Sequence, residues 1–288
     1  MRYASLLVTF SLIVATSPTP ALMAGATPDT PAARIDANTK TARWAGVGSI
    51  SVGGGTFTGA LIDRTHVLTA AHVVGGAKPD SITFNLNFGG DLTQRIAVAA
   101  VFTHPLYQGF GHGNPGDDLA VLQLAQSAPL GVPTYGLYRD ELPQGARLTL
   151  VGYGASGNGD KGVSMPAQPH VKRTGQNSAD RYASGDGLPG QAHAFYYDFD
   201  GPDASSNAMG GHTLGNPLET TVASGDSGGP AFVRGPRNTW LIAGINTFDI
   251  RANDKQPRGT FGTGGGGVLV APQVAWIDRV RLGPGKPG

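Results

Sequence analysis

The chain has 288 residues, of which 40% are hydrophobic, enough for one large domain with a buried core. Its 21 Lys and Arg nearly balance 20 Asp and Glu, so the net charge of +1 offers no field for a nucleic-acid backbone. No cysteine is present, which excludes disulfides, a thiol nucleophile and a thiolate zinc site, and the 45 Gly show no collagen period.

The N-terminus reads as an export signal. Arg2 precedes an apolar run from Ala4 to Ala15, Pro18 and Pro20 break it, and small residues follow at Ala24 and Ala26. That layout predicts a secretory signal over residues 1–26, removed on export to a periplasm or the medium. The run is too short to span a bilayer, so no membrane span is expected after removal. Export without disulfides suits a bacterial source. Residues 27–46 are polar and read as a leader or propeptide with the N-terminal segment.

From Val47 onward short β-type runs alternate with Gly, Pro, Asn and Asp. They predict strands at Val47–Val52, Thr58–Asp63, His66–Thr69, Ile82–Phe88, Gln94–Phe102, Ala120–Leu124 and Arg147–Tyr153. Further strands are expected at His193–Phe199, Pro230–Arg234, Thr239–Thr247 and Gly267–Val270, with one helix at Pro272–Arg281. Many short strands with tight turns mean an all-β sandwich or barrel. The polar, Gly-rich stretch 154–217 reads as an insertion on a single domain, and residues 283–288 as a flexible tail. Trp44 and Trp240 are expected in the core.

Three motifs carry chemistry. Leu68-Thr69-Ala70-Ala71-His72 sets a histidine after a strand. Asp117-Asp118-Leu119-Ala120-Val121-Leu122 sets acids before a buried-looking strand. Gly225-Asp226-Ser227-Gly228-Gly229-Pro230 places a serine in a glycine-rich turn. A serine hydroxyl needs a histidine base, and the base needs a carboxylate to hold its tautomer. Glycines let main-chain N–H groups face a developing oxyanion.

These motifs, in this order, resemble the chymotrypsin-like (trypsin-like) serine peptidase family over roughly residues 35–282. The resemblance implies two six-stranded antiparallel β-barrels with a short C-terminal helix. It implies His72 as general base, Asp118 rather than Asp117 as its partner, and Ser227 as nucleophile. Gly225 and Ser227 N–H groups would form the oxyanion hole. Thr221 would lie at the base of the substrate pocket, with Thr247 and Gly267 as its walls, and Phe248 would end the segment Gly244–Phe248 that pairs with the substrate backbone. Asp226 would be the acid that receives a newly freed ammonium in relatives made as precursors. Arg34-Ile35 is a candidate cut for that purpose, although Asp36-Ala37-Asn38 departs from the family's start. With no acid at Thr221, a neutral side chain is the expected preference, unless Glu219 or Asp249 reaches the pocket.

The implied activity is hydrolysis of peptide bonds in protein or peptide substrates by a monomer that needs no cofactor and no metal. Asp198, Asp200 and Asp203 space three carboxylates but do not match a calcium loop, and turn acids are the simpler reading. The Gly225–Gly229 run also fits the elbow of α/β-hydrolases, but no histidine follows Ser227 and the βα alternation is missing. An inactive relative that binds proteins is the alternative from another class.

Overall fold

A computed structural model of the chain describes residues 22–88, 91–184 and 191–283. The apolar heart of the predicted export signal, up to residue 21, and the tail beyond residue 283 lie outside the described residues. Six strands, β1 (Val47–Val52), β2 (Gly55–Leu61), β3 (His66–Thr69), β4 (Thr83–Phe88), β5 (Asp91–Thr103) and β6 (Ala120–Leu124), close an antiparallel barrel in the order β1-β2-β3-β6-β5-β4. Alternating aliphatics point inward from each. Val47, Ile50, Val67, Phe84 and Leu122 are fully buried. Each such side chain contributes roughly 1.5–3 kcal/mol of burial free energy. A four-residue helix, α1 (Ala71–Val74), follows β3 directly.

The second half is an eight-stranded sheet built from β7 (Gly136–Leu137), β8 (Arg147–Gly152), β11 (Arg173–Ser178), β12 (Arg181–Ala183), β13 (Ala194–Asp198), β14 (Pro230–Arg234), β15 (Trp240–Ile250) and β16 (Gly264–Leu269). A separate hairpin pairs β9 (Ser156–Asn158) with β10 (Gly162–Met165). The main path runs β11-β8-β14-β15-β16-β13-β12. Its ends curl together: Asn177 Nδ2 on β11 donates to Asp198 O on β13 at 2.6 Å, and the Asp180 N–H donates to Tyr196 O at 2.9 Å. Six of these strands therefore wrap into the second barrel, and β7 and β12 extend it. The C-terminal helix α2 (Val274–Leu282) buries Ile277 and ends at Gly283, whose φ of 78° stops it. Among the described residues no helix is long and apolar enough to cross a membrane.

Trp44 is buried in the core, and Trp240 is half-buried against it. Trp44 stacks on Phe232 at 4.7 Å between centroids and meets Trp240 at 4.8 Å. One buried cluster runs from the first barrel through these rings to Ile245 and Ile277, so the two halves share a core.

Two stretches differ from the sequence reading. The polar run 154–217 is more than an insertion, because it contributes β11, the strand that starts the second barrel's path beside β8. Its residues carry no apolar alternation. Their burial is made possible by distant partners: Asn177 also donates to Thr220 O at 2.7 Å, and the fully buried Lys172 donates to Trp44 O at 2.8 Å and pairs with Asp36 at 3.0 Å. The N-terminal segment 22–46 is likewise not a loose leader. Leu22, Met23 and Ala24, assigned by sequence to the signal, are at most 1% exposed. Ala24 bridges to Asn158, and Ile35 bridges to Arg173.

Strand β16 begins three residues before its sequence boundary. Gly264–Gly266 are poor strand formers, yet the sheet needs them. A Cβ on Gly267 would stand 1.8 Å from Ile245 O, and one on Gly264 would stand 2.2 Å from Tyr197 O.

Candidate active site

Strand β3 delivers the histidine. Thr69 Oγ1 donates to Thr58 O at 2.9 Å, which ties the end of β3 to β2. Ala70 and Ala71 are fully buried and leave no room for larger side chains. The chain then turns into α1, and His72 emerges toward the groove between the barrels.

Asp118 grips this residue twice. Its Oδ2 lies 2.7 Å from His72 Nδ1, and its Oδ1 accepts the His72 main-chain N–H at 2.8 Å. An acceptor at Nδ1 holds the proton there and leaves Nε2 free as a base. A single turn before β6, Pro115–Asp117, sets the acid, and the Asn114 side chain caps that turn from the Gly116 N–H at 2.8 Å. The neighbouring Asp117 faces the other way and lies 3.4 Å from His104 Nδ1. The two adjacent acids are thus separated by direction alone.

Ser227 comes from the second barrel, on the turn before β14. Gly225 and Gly228 flank it at φ 99° and 81°, a region costly for residues with a Cβ. At Gly228 a Cβ would also stand 2.0 Å from Thr69 Oγ1. Thr58 joins the barrels here: its N–H donates to Ser227 O at 3.0 Å and its hydroxyl to Gly225 O at 2.9 Å. Among the described residues, neither the Gly225 nor the Ser227 N–H has an acceptor within the chain, whereas the Asp226, Gly228 and Gly229 N–H groups all do. Two free donors beside a serine are suited to an incoming oxyanion.

Asp226 points away from the groove into the second barrel and is 1% exposed. It accepts the Gly154 N–H at 2.8 Å and the Ala223 N–H at 2.9 Å. Burial pushes its carboxyl up to about 7, opposed by these N–H groups and the charge of Arg173.

His72 and Ser227 line one cleft of about 220 Å³ with Phe110, Val222–Ser224 and Asn246–Asp249. Thr247 and Phe248 are among its lining residues. Thr221 and Gly267 do not line the cleft. Thr221 is fully buried, and its carbonyl accepts the Met23 N–H at 3.1 Å. Gly267 sits inside the sheet, opposite Asn246 and Phe195. Val222, Ala223 and Ser224 line the cleft instead.

Neither candidate acid leaves a free charge in the cleft. Asp249 lines it but is held by Arg258 Nη1 at 2.6 Å. Glu219 is buried below, accepts the Leu214 N–H at 2.7 Å, and is pushed up to about 8 by burial and the nearby Asp200, Asp180 and Asp198. Asp198, Asp200 and Asp203 serve local bonds. Asp203, for example, accepts the Ser205 N–H at 2.9 Å. Among the described residues no group of three or more His, Asp or Glu is placed to hold a metal ion.

Phe110 was not singled out by its sequence. It sits in a Gly-rich loop without periodicity, yet its ring lies 4.8 Å from the His72 ring and is 59% exposed. An exposed aromatic among glycines after His104-Pro105 was the one available signal.

The Trypsin family model matches residues 36–264 of this chain. Among solved structures, the chain is similar to neuropsin, a serine protease expressed in the limbic system of mouse brain. The TM-score is 0.57 and the identity 19%, over 86% of this chain and 98% of that one. At that identity the likeness establishes the shared fold.

Proposed function

The chain belongs to the trypsin family of serine peptidases, and we propose that it is an active, secreted endopeptidase working through an acyl-enzyme. One observation carries the reading. Asp118 holds His72 through both carboxylate oxygens, in the cleft that Ser227 shares beside two unused N–H donors. In the reaction, Ser227 Oγ attacks the scissile carbonyl and passes its proton to His72 Nε2. The carbonyl oxygen, now negative, sits against the Gly225 and Ser227 N–H groups. Collapse breaks the C–N bond, and His72 returns the proton to the leaving amine. Water, deprotonated by His72, then releases the acid from Ser227. Asp118 stabilises the imidazolium in both halves.

The preferred side chain is neutral. Phe110, Phe248 and Val222 line the cleft, and its one acid is neutralised by Arg258. The apolar run Ala4–Ala15 behind Arg2, read as the heart of an export signal, supports secretion.

Fluorophosphonate labelling tests the proposal. Intact mass should show one adduct on the wild type and none on Ser227→Ala. A well-folded wild type that stays unlabelled would favour the protein-binding relative instead.

A further inference from the structure

His72 aside, the ionisable side chains lining the cleft that Ser227 shares are Asp249 and Arg258. Strand β15 brings the acid there through an irregularity. Its pairing with β16 runs Asn246 to Gly267 and then Phe248 to Gly266, so Thr247 is one residue extra. A slip of one residue changes the face that each later side chain takes, and Asp249 comes out on the cleft. Arg258 reaches over it. Its Nη1 donates to Oδ1 and to Oδ2 of Asp249, each at 2.6 Å. Among the described residues, the Nε and Nη2 of Arg258 are left without a hydrogen bond.

Stability does not call for this pair. Its side chains are 55% and 32% exposed, and ion pairs so open to water contribute little to the folded state. Both ends are nevertheless held in place. Asp249 sits in the sheet opposite Gly265. The main chain around Arg258 is fixed by distant segments: the Val163 N–H on β10 donates to Arg258 O at 2.9 Å, and the Phe261 N–H donates to Gly159 O at 2.8 Å. Phe261 also packs on Phe199 at 4.8 Å between centroids. Gly259 turns the chain with a φ of 72°, and a Cβ there would stand 2.7 Å from Met23 Sδ. Nearby, Arg251 and Asp254 pair with each other at 3.6 Å and do not compete for either partner.

An acid lining a cleft attracts a cationic side chain, and selectivity comes as much from a group that repels the wrong partner as from one that attracts the right one. We propose that Arg258 is a specificity-determining residue: it occupies Asp249 and so closes to lysine and arginine side chains a cleft that would otherwise take them. This rests on the peptidase reading above. A substrate cation has to displace Arg258 from Asp249 or stand beside it as a like charge, and either lowers its affinity. A neutral side chain meets no such opposition and has Phe110, Phe248 and Val222 to pack against. The charge preference of the cleft is thus set by one side chain, nine positions beyond the acid it covers.

Peptides that differ only in the residue before the scissile bond test this. Lysine is compared with norleucine, an uncharged chain of nearly the same length. In Arg258→Gln the ratio of kcat/KM for lysine over norleucine should rise about tenfold above that of the wild type. Adding Asp249→Asn to that variant should remove the gain. The gain should also fade between about 0.05 and about 0.5 M NaCl, since charges in water are screened. A gain that salt leaves untouched comes from space rather than charge and overturns the inference. The reciprocal variant, Asp249→Asn alone, frees Arg258 and should favour a glutamate peptide over its glutamine twin by a similar factor. No such shift counts against the inference as well.

A binding measurement keeps the two readings apart. Benzylammonium, with benzyl alcohol as its neutral control, is titrated into each form and followed by NMR. The cation should bind Arg258→Gln about tenfold more tightly than wild type, and the double variant should lose that advantage. An unchanged lysine-to-norleucine ratio with both peptides still cleaved overturns the inference and leaves the peptidase reading intact. Tighter benzylammonium binding to Arg258→Gln, with no peptide cleaved by any form, would support the masking of Asp249 and defeat the peptidase reading. Equal binding by all three forms, with no cleavage, would defeat both.

Discussion

The two barrels solve the same packing problem with different materials. The first is filled mainly with aliphatic side chains, and the pair it presents to the cleft is Asp118 with His72. The second buries charge: Lys172 and Arg173 are fully buried, and Asp180, Asp198, Asp226 and Glu219 are nearly so. Apolar packing is indifferent to sequence distance and to pH. Buried charge needs partners, and those come from far along the chain, as Asp36 and Trp44 do for Lys172. The barrel that carries Ser227 is therefore the one whose stability depends on pH.

The contrast can be broken in order of effect. Ser227→Ala should lower kcat by about 10⁴-fold or more, without changing the melting temperature. Asp118→Asn should cost about 10⁴-fold in kcat by releasing the imidazole tautomer. Asp117→Asn, one residue away and turned to His104, should change kcat by less than about tenfold under the same assay. A large loss from Asp117→Asn would mean the two acids act together.

Stability separates the barrels next. Phe84→Ala should cost about 3–5 kcal/mol in denaturant unfolding, from lost burial and a cavity. Lys172→Met should cost a similar amount, roughly 3–5 kcal/mol, for a different reason, because it strands Asp36 without its partner. Adding Asp36→Ala to Lys172→Met should recover part of that loss, whereas no second deletion in the first barrel should rescue Phe84→Ala.

The pH response is smaller. Folding raises Asp180 to about 7 and Glu219 to about 8, chiefly by burial. The folded state then holds protons that the unfolded chain releases near pH 4. Stability from these groups is present at low pH and is lost as pH rises from about 4 to about 8. Glu219→Gln should flatten that slope in a series of thermal melts, and an unchanged slope would remove Glu219 as a source. Smallest of all, Phe110→Ala should raise KM for peptides with apolar side chains while leaving kcat within about threefold, since its ring lies beside His72 without a bond to it.

Much of this molecule was legible in the chain. β1, β3, β6 and β14 have the boundaries that alternation and turn residues predict, because both signals act over a few neighbouring residues. The residues of the three motifs converge in the structure, since each motif is a local device whose glycines or alanines admit only one tight conformation. What lay beyond reach was decided at long range. Arg173–Ser178 is a strand because Asn177 and Lys172 find carbonyls from other segments. Gly264–Gly266 is a strand because its neighbours leave no space for a side chain. Asp117 and Asp118 differ only in which histidine each faces. Leu22, Met23 and Ala24, read from the sequence as part of an export signal, are buried in the second barrel because the Met23 and Ala24 N–H groups find Thr221 O and Gly157 O. Local chemistry wrote the strands and the motifs, and the tertiary structure chose the partners of every buried charge, because desolvating a charge is paid for only by a specific neighbour in space.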